Sequence, residues 1–311
     1  MQFNLTILGC NAALPANGRH PSAHALNIHE HCFLIDCGEG TQMRMNSFGI
    51  RKSRIHHIFI SHLHGDHIFG LIGLLTSMSL GGRESSLEIF SPPGLRQIIQ
   101  IQLDLGAGHL TYPLHFREIN PEAHQLIFEN KELEVYSLPL LHRVPTAGYL
   151  FREKRAPLNI RPEKISEHNI PFTAIPDIKA GADYHTPSGK CISNEELTLP
   201  PRLTRSFAYC SDTAYHEGLV PLIKGVDLLY HEATFANDKK EHAPITMHST
   251  AQQAASIASQ AAVGQLILGH YSSRYKDVNV LLNEAKAVFE NTVLGEEGRC
   301  YELPARRATT R

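Results

Sequence analysis

Short apolar runs alternate with longer periodic stretches along this chain of 311 residues. Runs of a few residues that are rich in Ile, Leu, Val and Phe are typical of buried strands, whereas apolar positions three or four apart indicate helices. The predicted strands span residues 3–8, 25–36 with a polar turn around Glu30, 55–60, 87–90, 133–138, 206–210, 228–230 and 265–268. The predicted helices span residues 68–80, 95–105, 249–262 and 278–289. Two sets of strands with flanking helices predict a layered α/β/β/α arrangement without an evident internal repeat.

A cluster of metal-binding side chains follows the predicted strand 55–60. The segment at residues 61–67 reads SHLHGDH, and Gly65 permits a sharp turn before the next helix. Imidazole and carboxylate are the ligands of hydrolytic zinc sites, which use few protein ligands so that one position stays open for water. A solvated turn is the alternative interpretation. Three histidines and an aspartate directly after a buried strand favour a metal site, at the sheet edge where open α/β folds place their sites.

Three more ligand-type residues, His142, Asp212 and His270, each follow an apolar strand. One such residue alone is more often an ordinary loop residue, but together they complete a site for two metals. Paired metals about 3.5–4 Å apart polarise a phosphoryl oxygen and lower the pKa of a bridging water, so that hydroxide attacks at neutral pH. The predicted division places one zinc on His62, His64 and His142, a second zinc on Asp66, His67 and His270, and Asp212 between them. Asp66 is also a candidate to orient the hydroxide or to take its proton.

Two further segments have the composition of catalytic machinery. His231-Glu232-Ala233-Thr234 ends a strand, and His248-Ser249-Thr250 opens a helix, with Ser249 as the expected N-cap. A histidine paired with a carboxylate can protonate a leaving oxygen, and we favour His248 for that role. Glu232 and His231 are equally compatible with orienting the metal ligands, which such sites usually need.

Composition narrows the class of protein. The net charge of −2 and the pI near 6.9 give no global basic field to attract nucleic acid, although a local patch is compatible with them. The six cysteines form no CxxC pair, which fits a reducing compartment. No basic segment precedes an apolar stretch at the amino terminus, and no apolar run approaches the ~20 residues of a membrane helix. We therefore expect a soluble, cytoplasmic protein.

Residues 152 to about 200 differ from the rest of the chain. They are rich in proline and charge and show little apolar periodicity. A stretch of this length without a core-forming pattern is usually a functional insertion or a disordered loop, and a tolerated surface loop is the plainest interpretation.

Several motifs resemble those of one known family. HLHGDH resembles the HxHxDH motif of the metallo-β-lactamase superfamily. The resemblance narrows to the ribonuclease Z family in its short bacterial form. The matching segments, in family order, are LPANGRHPSA (14–23), IDCGEGTQ (35–42), HLTYPL (109–114), SDT (211–213), HEATFA (231–236), HST (248–250) and GHYSSRY (269–275).

The resemblance implies an αββα sandwich of residues 1–311, two Zn²⁺ per chain and a homodimer. The implied reaction is cleavage of precursor tRNA just beyond the discriminator base, leaving a 3′-hydroxyl. Asp66 matches the family's general base, and Glu232 and His248 match positions that assist proton delivery. Residues 152–184 match a flexible arm that clamps tRNA, although the tip IPFTAIP (170–176) lacks the family's Gly-Pro pair. Its candidate phosphate-binding residues are Lys154, Arg155, Arg161, Lys164 and Lys179.

Other functions remain open at this stage. A phosphodiesterase or arylsulfatase-like hydrolase of small molecules would keep the same metal site, but a small substrate gives no reason for an external arm. A non-catalytic tRNA-binding module would not need the complete ligand set. A β-lactam or thioester hydrolase would not explain the segments 231–236 and 269–275.

Overall fold

A computed structural model describes the structure of residues 2–307. Its first sheet contains β1 (Phe3–Gly9), β2 (Ala23–Ile28), β3 (His31–Ile35), β4 (Ile55–Phe59), β5 (Leu87–Ser91), β6 (Leu114–Glu118) and β16 (Cys300–Glu302). The strand order is β16-β1-β2-β3-β4-β5-β6. The pairs from β16 to β3 are antiparallel, and those from β3 to β6 are parallel.

The second sheet repeats this arrangement. It contains β7 (Leu126–Glu129), β8 (Leu133–Pro139), β9 (Ala147–Glu153), β12 (Ser206–Cys210), β13 (Leu228–Glu232), β14 (Gln265–Gly269) and β15 (Thr292–Leu294). The order is β15-β14-β13-β12-β9-β8-β7, antiparallel from β7 to β12 and parallel from β12 to β15. The two sheets therefore share one pattern of antiparallel and parallel pairs, which the amino-acid sequence does not reveal as a repeat. Their connections differ, because β16 joins the first sheet from the end of the chain whereas β7 leads directly into β8.

Helices cover the outer face of each sheet. The helices are α1 (Thr41–Ser47), α2 (Gly65–Ile68), α3 (Leu71–Leu80), α4 (Leu95–Gln102), α5 (Pro162–Glu167), α6 (Ile175–Ala180), α7 (Asn194–Leu197), α8 (Ala243–Thr246), α9 (Ala251–Gln260) and α10 (Asn279–Lys286). On α9, Ala251, Ala254, Ala255 and Ala258 are all buried, and this i, i+3, i+4, i+7 spacing forms the expected apolar stripe. Among residues 2–307 no helix has the length and apolarity needed to span a bilayer.

Phenylalanine rings fill much of the space between the sheets. Phe33, Phe59 and Phe151 lie with ring centroids 5.3–6.0 Å apart and are fully buried. A second apolar cluster lies between the first sheet and its helices. This helix, sheet, sheet, helix layering is the predicted four-layer sandwich.

Several predicted boundaries were wrong. The helix predicted over 68–80 is two helices, α2 and α3, because the backbone at Gly70 packs against Gly38, where a Cβ would overlap the carbonyl oxygen. The helix predicted over 95–105 continues as a π-helical turn at Leu103–Ala107. Strands β6, β7, β9, β15 and β16 were not predicted. In β9 the reason is that all but one of its residues are buried, so the strand has no alternation.

The segment between β9 and β12 contains regular structure. It includes α5, α6, α7 and the hairpin of β10 (Tyr184–His185) with β11 (Cys191–Ile192). Five buried residues form its own small apolar cluster: Ile170, Ile178, Tyr184, Ile192 and Leu197. These residues are irregularly spaced along the chain, which explains the lack of a periodic pattern. The cluster extends beyond residue 184, where the predicted arm ends.

Candidate active site

Histidine and aspartate side chains, which commonly bind metal ions, converge at the carboxyl ends of the strands. After β4, His62 and His64 lie on the connecting loop and Asp66 and His67 lie in α2. His142, Asp212 and His270 follow β8, β12 and β14 respectively. Because β12, β13 and β14 run parallel, their carboxyl ends meet at one edge of the second sheet. The structure therefore brings together all seven predicted ligand residues.

The first group of donor atoms belongs to three histidines and Asp212. His62 Nε2 lies 3.0 Å from His64 Nδ1, which lies 3.4 Å from His142 Nε2. Asp212 Oδ2 is 3.7 Å from His62 Nε2 and 3.9 Å from His142 Nε2. Each of these four residues offers one donor atom, and the four atoms all lie within 4.8 Å of one another, close enough to share one metal ion.

The second group lies on the other side of Asp212. Its Oδ1 is 3.3 Å from His67 Nε2 and 3.2 Å from His270 Nε2. Asp66 Oδ2 lies 3.5 and 3.6 Å from the same two nitrogens. One carboxylate thus presents one oxygen to each group, which is the geometry of a ligand shared by two cations.

Two observations show that the residues fit divalent cations. The Nε2 atoms of His67 and His270 are buried and have no hydrogen-bond partner among the described residues. Buried nitrogens that face carboxylates without a hydrogen bond are expected of metal ligands and are costly otherwise. The donor set of imidazole nitrogens and carboxylate oxygens is that of zinc and related ions.

The electrostatics of His67 agree with this interpretation. Burial alone lowers the pKa of His67, but the carboxylates of Asp36, Asp66 and Asp212 more than offset burial and raise that pKa well above its ordinary value. Burial and then the neighbouring His67 lower the pKa of His62 well below its ordinary value. The centre therefore attracts positive charge at His67, and a metal ion would take the place of that proton.

Asp36 anchors this part of the site and was not among the predicted site residues. Its carboxylate is fully buried and accepts hydrogen bonds from the Ser61 amide (2.7 Å), the Ser61 hydroxyl (2.9 Å), the Tyr209 hydroxyl (2.6 Å) and His67 Nδ1 (2.8 Å). Because a carboxylate only accepts, His67 donates from Nδ1 and turns Nε2 toward the ligand group. Asp36 follows β3 as the candidate ligands follow their strands, so the same pattern could have identified it.

Glu232 organises the other side of the centre. Its Oε1 accepts from His248 Nδ1 (2.8 Å) and from the Thr213 amide (2.7 Å), and its Oε2 accepts from the Thr234 hydroxyl (2.6 Å). The Thr234 oxygen also lies 3.0 Å from His270 Nδ1. Since the Thr234 hydroxyl donates to Glu232, it accepts from His270 and leaves the Nε2 of that ring free for a ligand role.

Glu232 binds His248 through Nδ1, so the Nε2 atom of the His248 ring takes no part in that hydrogen bond. Burial alone lowers the pKa of His248, but the charge and hydrogen bond of Glu232, with smaller contributions from Asp212 and Asp66, raise it to about 9. The His142 ring lies 5.1 Å from the His248 ring, so the imidazole faces the ligand group. Such a histidine is suited to donate a proton near neutral pH.

The predicted helix cap at Ser249 was wrong. The Thr250 side chain accepts from the Gln253 amide, and the Gln253 side chain accepts from the Thr250 amide, forming a reciprocal capping box for α9. The Ser249 hydroxyl instead donates to the Thr213 carbonyl at 2.7 Å. His231 is buried, and its Nδ1 lies 2.8 Å from the Glu232 carbonyl.

The five basic residues of the predicted arm differ in their availability. Lys154 pairs with a glutamate at 2.6 Å, Lys164 lies 2.8 and 3.3 Å from two glutamates, and the Arg161 guanidinium donates to a backbone carbonyl. Within residues 2–307 no carboxylate pairs with Arg155 or Lys179. Arg161 has no paired carboxylate among the described residues either, but its hydrogen bond holds the side chain, so Arg155 and Lys179 are the two most available to an external anion.

Comparison with known protein families gives two matches to family models. The model described as "Anti-Pycsar protein Apyc1" matches residues 3–140, and the model described as "Beta-lactamase superfamily domain" matches residues 162–271. The two matches cover the segments that contribute the metal-type residues, apart from His142.

Comparison with individual proteins covers nearly the whole chain. The chain is 46% identical over 296 residues to a ribonuclease Z of Parabacteroides distasonis, covering 95% of this chain and 97% of that protein. It is 45% identical over 302 residues to a ribonuclease Z of Bacteroides thetaiotaomicron, covering 97% and 96%. Among solved structures, the short form of human tRNase Z is similar with a TM-score of 0.71 and 28% identity, covering 97% of this chain and 99% of that one.

Proposed function

The chain belongs to the ribonuclease Z family of metal-dependent endoribonucleases with the metallo-β-lactamase fold, and we propose that it removes the 3′ trailer of precursor tRNA. The reaction is hydrolysis of the phosphodiester next to the discriminator base. Water attacks the phosphorus and the bond from phosphorus to O3′ breaks, leaving a 3′-hydroxyl on the tRNA and a 5′-phosphate on the trailer. The observation that carries the proposal is the placement of Asp212 between two ligand groups in a chain of this family.

The same proposal assigns two Zn²⁺ ions to the ligand groups. His62, His64 and His142 would bind one ion, Asp66, His67 and His270 the other, and Asp212 both. Paired divalent cations lower the pKa of water and neutralise the charge that builds on a phosphate during displacement. The unpartnered Nε2 atoms of His67 and His270 support the assignment of the second ion.

We assign to Asp66 the role of orienting the attacking water or taking its proton. Its Oδ2 accepts the Ala13 amide at 2.8 Å and faces His67 and His270, which fixes the orientation of the carboxylate. The charge of His67 is among the groups that keep the pKa of Asp66 well below its ordinary value, despite the opposing effect of burial. Asp66 is therefore ionised at neutral pH and is ready to orient the water.

We assign to His248 the delivery of a proton to the departing O3′. Glu232 holds the ring through Nδ1, so the proton that leaves would come from Nε2. Glu232 itself is fully buried and engaged by its hydrogen bonds, so it acts as a positioning residue. Proton donation of this kind typically contributes 10²–10⁴-fold to the rate.

We assign tRNA binding outside the centre to the folded unit between β9 and β12. Arg155 and Lys179 are the most available of its predicted basic residues, and Lys154, Arg161 and Lys164 complete the set. Contacts to phosphate are independent of base sequence and weaken with salt. Arg155→Ala and Lys179→Ala should therefore each reduce the salt dependence of precursor binding by about one ion. Lys164→Ala, whose ammonium is already paired, should change it less.

The unit can be removed cleanly because its ends meet. The Leu199 amide donates to the Asn159 carbonyl at 2.8 Å, so a short Gly-Ser link can replace residues 160–198. This replacement should abolish cleavage of precursor tRNA while hydrolysis of a small aryl phosphodiester persists. Unchanged tRNA cleavage would contradict a binding role for the unit.

A homodimer and a cytoplasmic location belong to the same proposal. Met43 on α1 and Leu80 on α3 are large apolar side chains exposed on the described chain and are available for contact with a second copy. The six cysteines are all unpaired, which supports a reducing compartment.

The function is tested with purified protein, excess zinc and a precursor tRNA that carries a 3′ trailer. Product ends are mapped to the nucleotide, with Asp66→Ala as the control. We expect one cut next to the discriminator base, absent in the control. An intact precursor together with hydrolysis of a small aryl phosphodiester would instead indicate a small-molecule phosphodiesterase.

A further inference from the structure

An exposed aromatic ring lies directly on the metal-binding loop. Phe69 follows α2 and is 71% exposed, although it is a large apolar side chain. Its ring covers Gly65, where any Cβ would overlap the ring atoms. Gly65 stands between His64 and Asp66, so glycine at this position lets the ring lie against the segment that supplies four of the site residues. Gly65 does not have a positive φ, and a Cβ there would require the Phe69 ring to move away from this segment.

Three more exposed apolar side chains lie on separate segments that are each linked to the same centre, through a neighbouring residue or a backbone hydrogen bond. Leu14 (49% exposed) follows Ala13, whose amide donates to Asp66. Leu141 (43% exposed) immediately precedes His142.

The third is Ile245, which is 72% exposed on α8. The next turn of the chain carries the Met247 carbonyl, which accepts from His142 Nδ1 at 3.0 Å. The Ala243 carbonyl of the same helix accepts the His248 amide at 2.9 Å. We call Phe69, Leu14, Leu141 and Ile245 the apolar rim.

We propose that the apolar rim binds the unpaired nucleobases on either side of the scissile phosphate, with Phe69 stacking on one of them. The inference rests on the proposed function, because it requires a single-stranded RNA substrate at this position. The histidines and carboxylates of the centre are assigned to metal binding and proton transfer, so stacking on the bases is left to other side chains. Unpaired bases are recognised by stacking on aromatic side chains, and every base has a face suited to it.

The aliphatic side chains of the apolar rim can contribute apolar contact to a base but no recognition of its identity. Leu14, Leu141 and Ile245 have no hydrogen-bonding side-chain atoms and cannot distinguish one base from another. The rim therefore orients the substrate strand without reading its sequence. This is suitable for an enzyme that must cut many tRNAs at the same position.

The test compares Phe69→Ala and Phe69→Trp with the wild type on three precursors. One precursor is intact, one is abasic at the discriminator, and one is abasic at the first trailer nucleotide. The matched control is Leu105→Ala, which shortens an 86% exposed apolar side chain after α4. Steady-state kcat and KM, zinc content and sedimentation mass are measured for each variant.

With the intact precursor, Phe69→Ala should raise KM by about 5- to 150-fold, the range for one stack between a base and an aromatic ring. Phe69→Trp and Leu105→Ala should stay close to the wild type. With one of the two abasic precursors the effect of Phe69→Ala should disappear, and that precursor identifies the stacked base.

Equal KM for Phe69→Ala and the wild type would overturn the proposal, as would the same loss on all three precursors. Loss of dimer mass in Phe69→Ala together with loss on all three precursors would assign the ring to a contact with a second copy of the chain, and would also overturn it. Failure of the proposed function itself is distinguishable, because the wild type would then leave the intact precursor uncut.

Discussion

Asp36→Asn should weaken metal binding although Asp36 is not in either ligand group. The asparagine has the same shape but presents an NH₂ group where the carboxylate accepted hydrogen bonds. Its remaining oxygen can still accept the Ser61 amide, and the hydroxyls of Ser61 and Tyr209 can rotate to accept from the NH₂. His67 cannot adapt without changing its proton. To accept at Nδ1 it must carry the proton on Nε2, which is the atom that faces Asp66 and Asp212.

The expected magnitude follows from these contacts. Exchanging the partner that orients a metal-ligating histidine typically lowers metal affinity or activity 10- to 100-fold. That factor corresponds to about 1.4–2.7 kcal/mol of binding free energy. The buried hydrogen bond from His67 would also lose its charged acceptor, which should lower the free energy of unfolding by about 1–3 kcal/mol. The loss of affinity should affect the site of His67 more than the site of His62, because Asp36 touches His67 directly.

The assay is zinc competition against a chromophoric chelator after the protein has been stripped of metal. Tyr209→Phe is the matched control, since it removes one hydrogen bond to Asp36 and leaves the bond from His67 intact. The control should retain both sites near wild-type affinity while losing about 1 kcal/mol of stability. If folded Asp36→Asn binds two zinc ions as tightly as the wild type, the argument from the His67 tautomer is wrong.

Three further predictions concern kinetics, capping and pH. Glu232→Gln should lower kcat about 10²-fold or more in the tRNA cleavage assay, because His248 loses its charged partner. Thr250→Ala should lower the unfolding free energy by about 1 kcal/mol in urea titrations, through loss of the α9 cap. Burial raises the pKa of Glu153, but the hydrogen bonds from Arg205 outweigh burial and keep that pKa below its ordinary value of 4.5. The ionised Glu153 therefore stabilises the fold fully above pH 4.5, and this stabilisation is lost as the pH falls through the lower pKa of the folded state. The urea midpoint of Glu153→Gln should therefore be lower at pH 7 and depend less on acid than that of the wild type; parallel curves would contradict this.

The candidate ligand residues could be proposed from sequence because they follow a simple local rule. His142, Asp212 and His270 each stand just after an apolar strand, and strands that end at one sheet edge bring such residues together. Asp36 obeys the same rule but was overlooked because the predicted strand 25–36 included it. The cap of α9 was ambiguous, since Ser249 with Gln252 and Thr250 with Gln253 both match the capping-box spacing, and the structure uses the second pair.

Other features depend on contacts that no local pattern encodes. The break between α2 and α3 results from the packing of Gly70 against Gly38, more than thirty residues away. The small core of the folded unit between β9 and β12 packs Ile170 and Leu197 together with residues from several short elements. Its residues therefore show no helical or strand period along the chain. The exposure of Phe69 likewise follows from tertiary position, since in sequence it reads as one more apolar residue of a helix.

The measurement that tests the two-cation centre most directly is a zinc titration of metal-stripped wild-type protein, followed by cleavage of precursor tRNA at the discriminator. Bound zinc per chain is determined at each point by mass spectrometry. We predict that cleavage stays low through the first equivalent and rises to its maximum as the second equivalent binds. Full cleavage at one zinc per chain, or cleavage that is unchanged by stripping, would contradict the account.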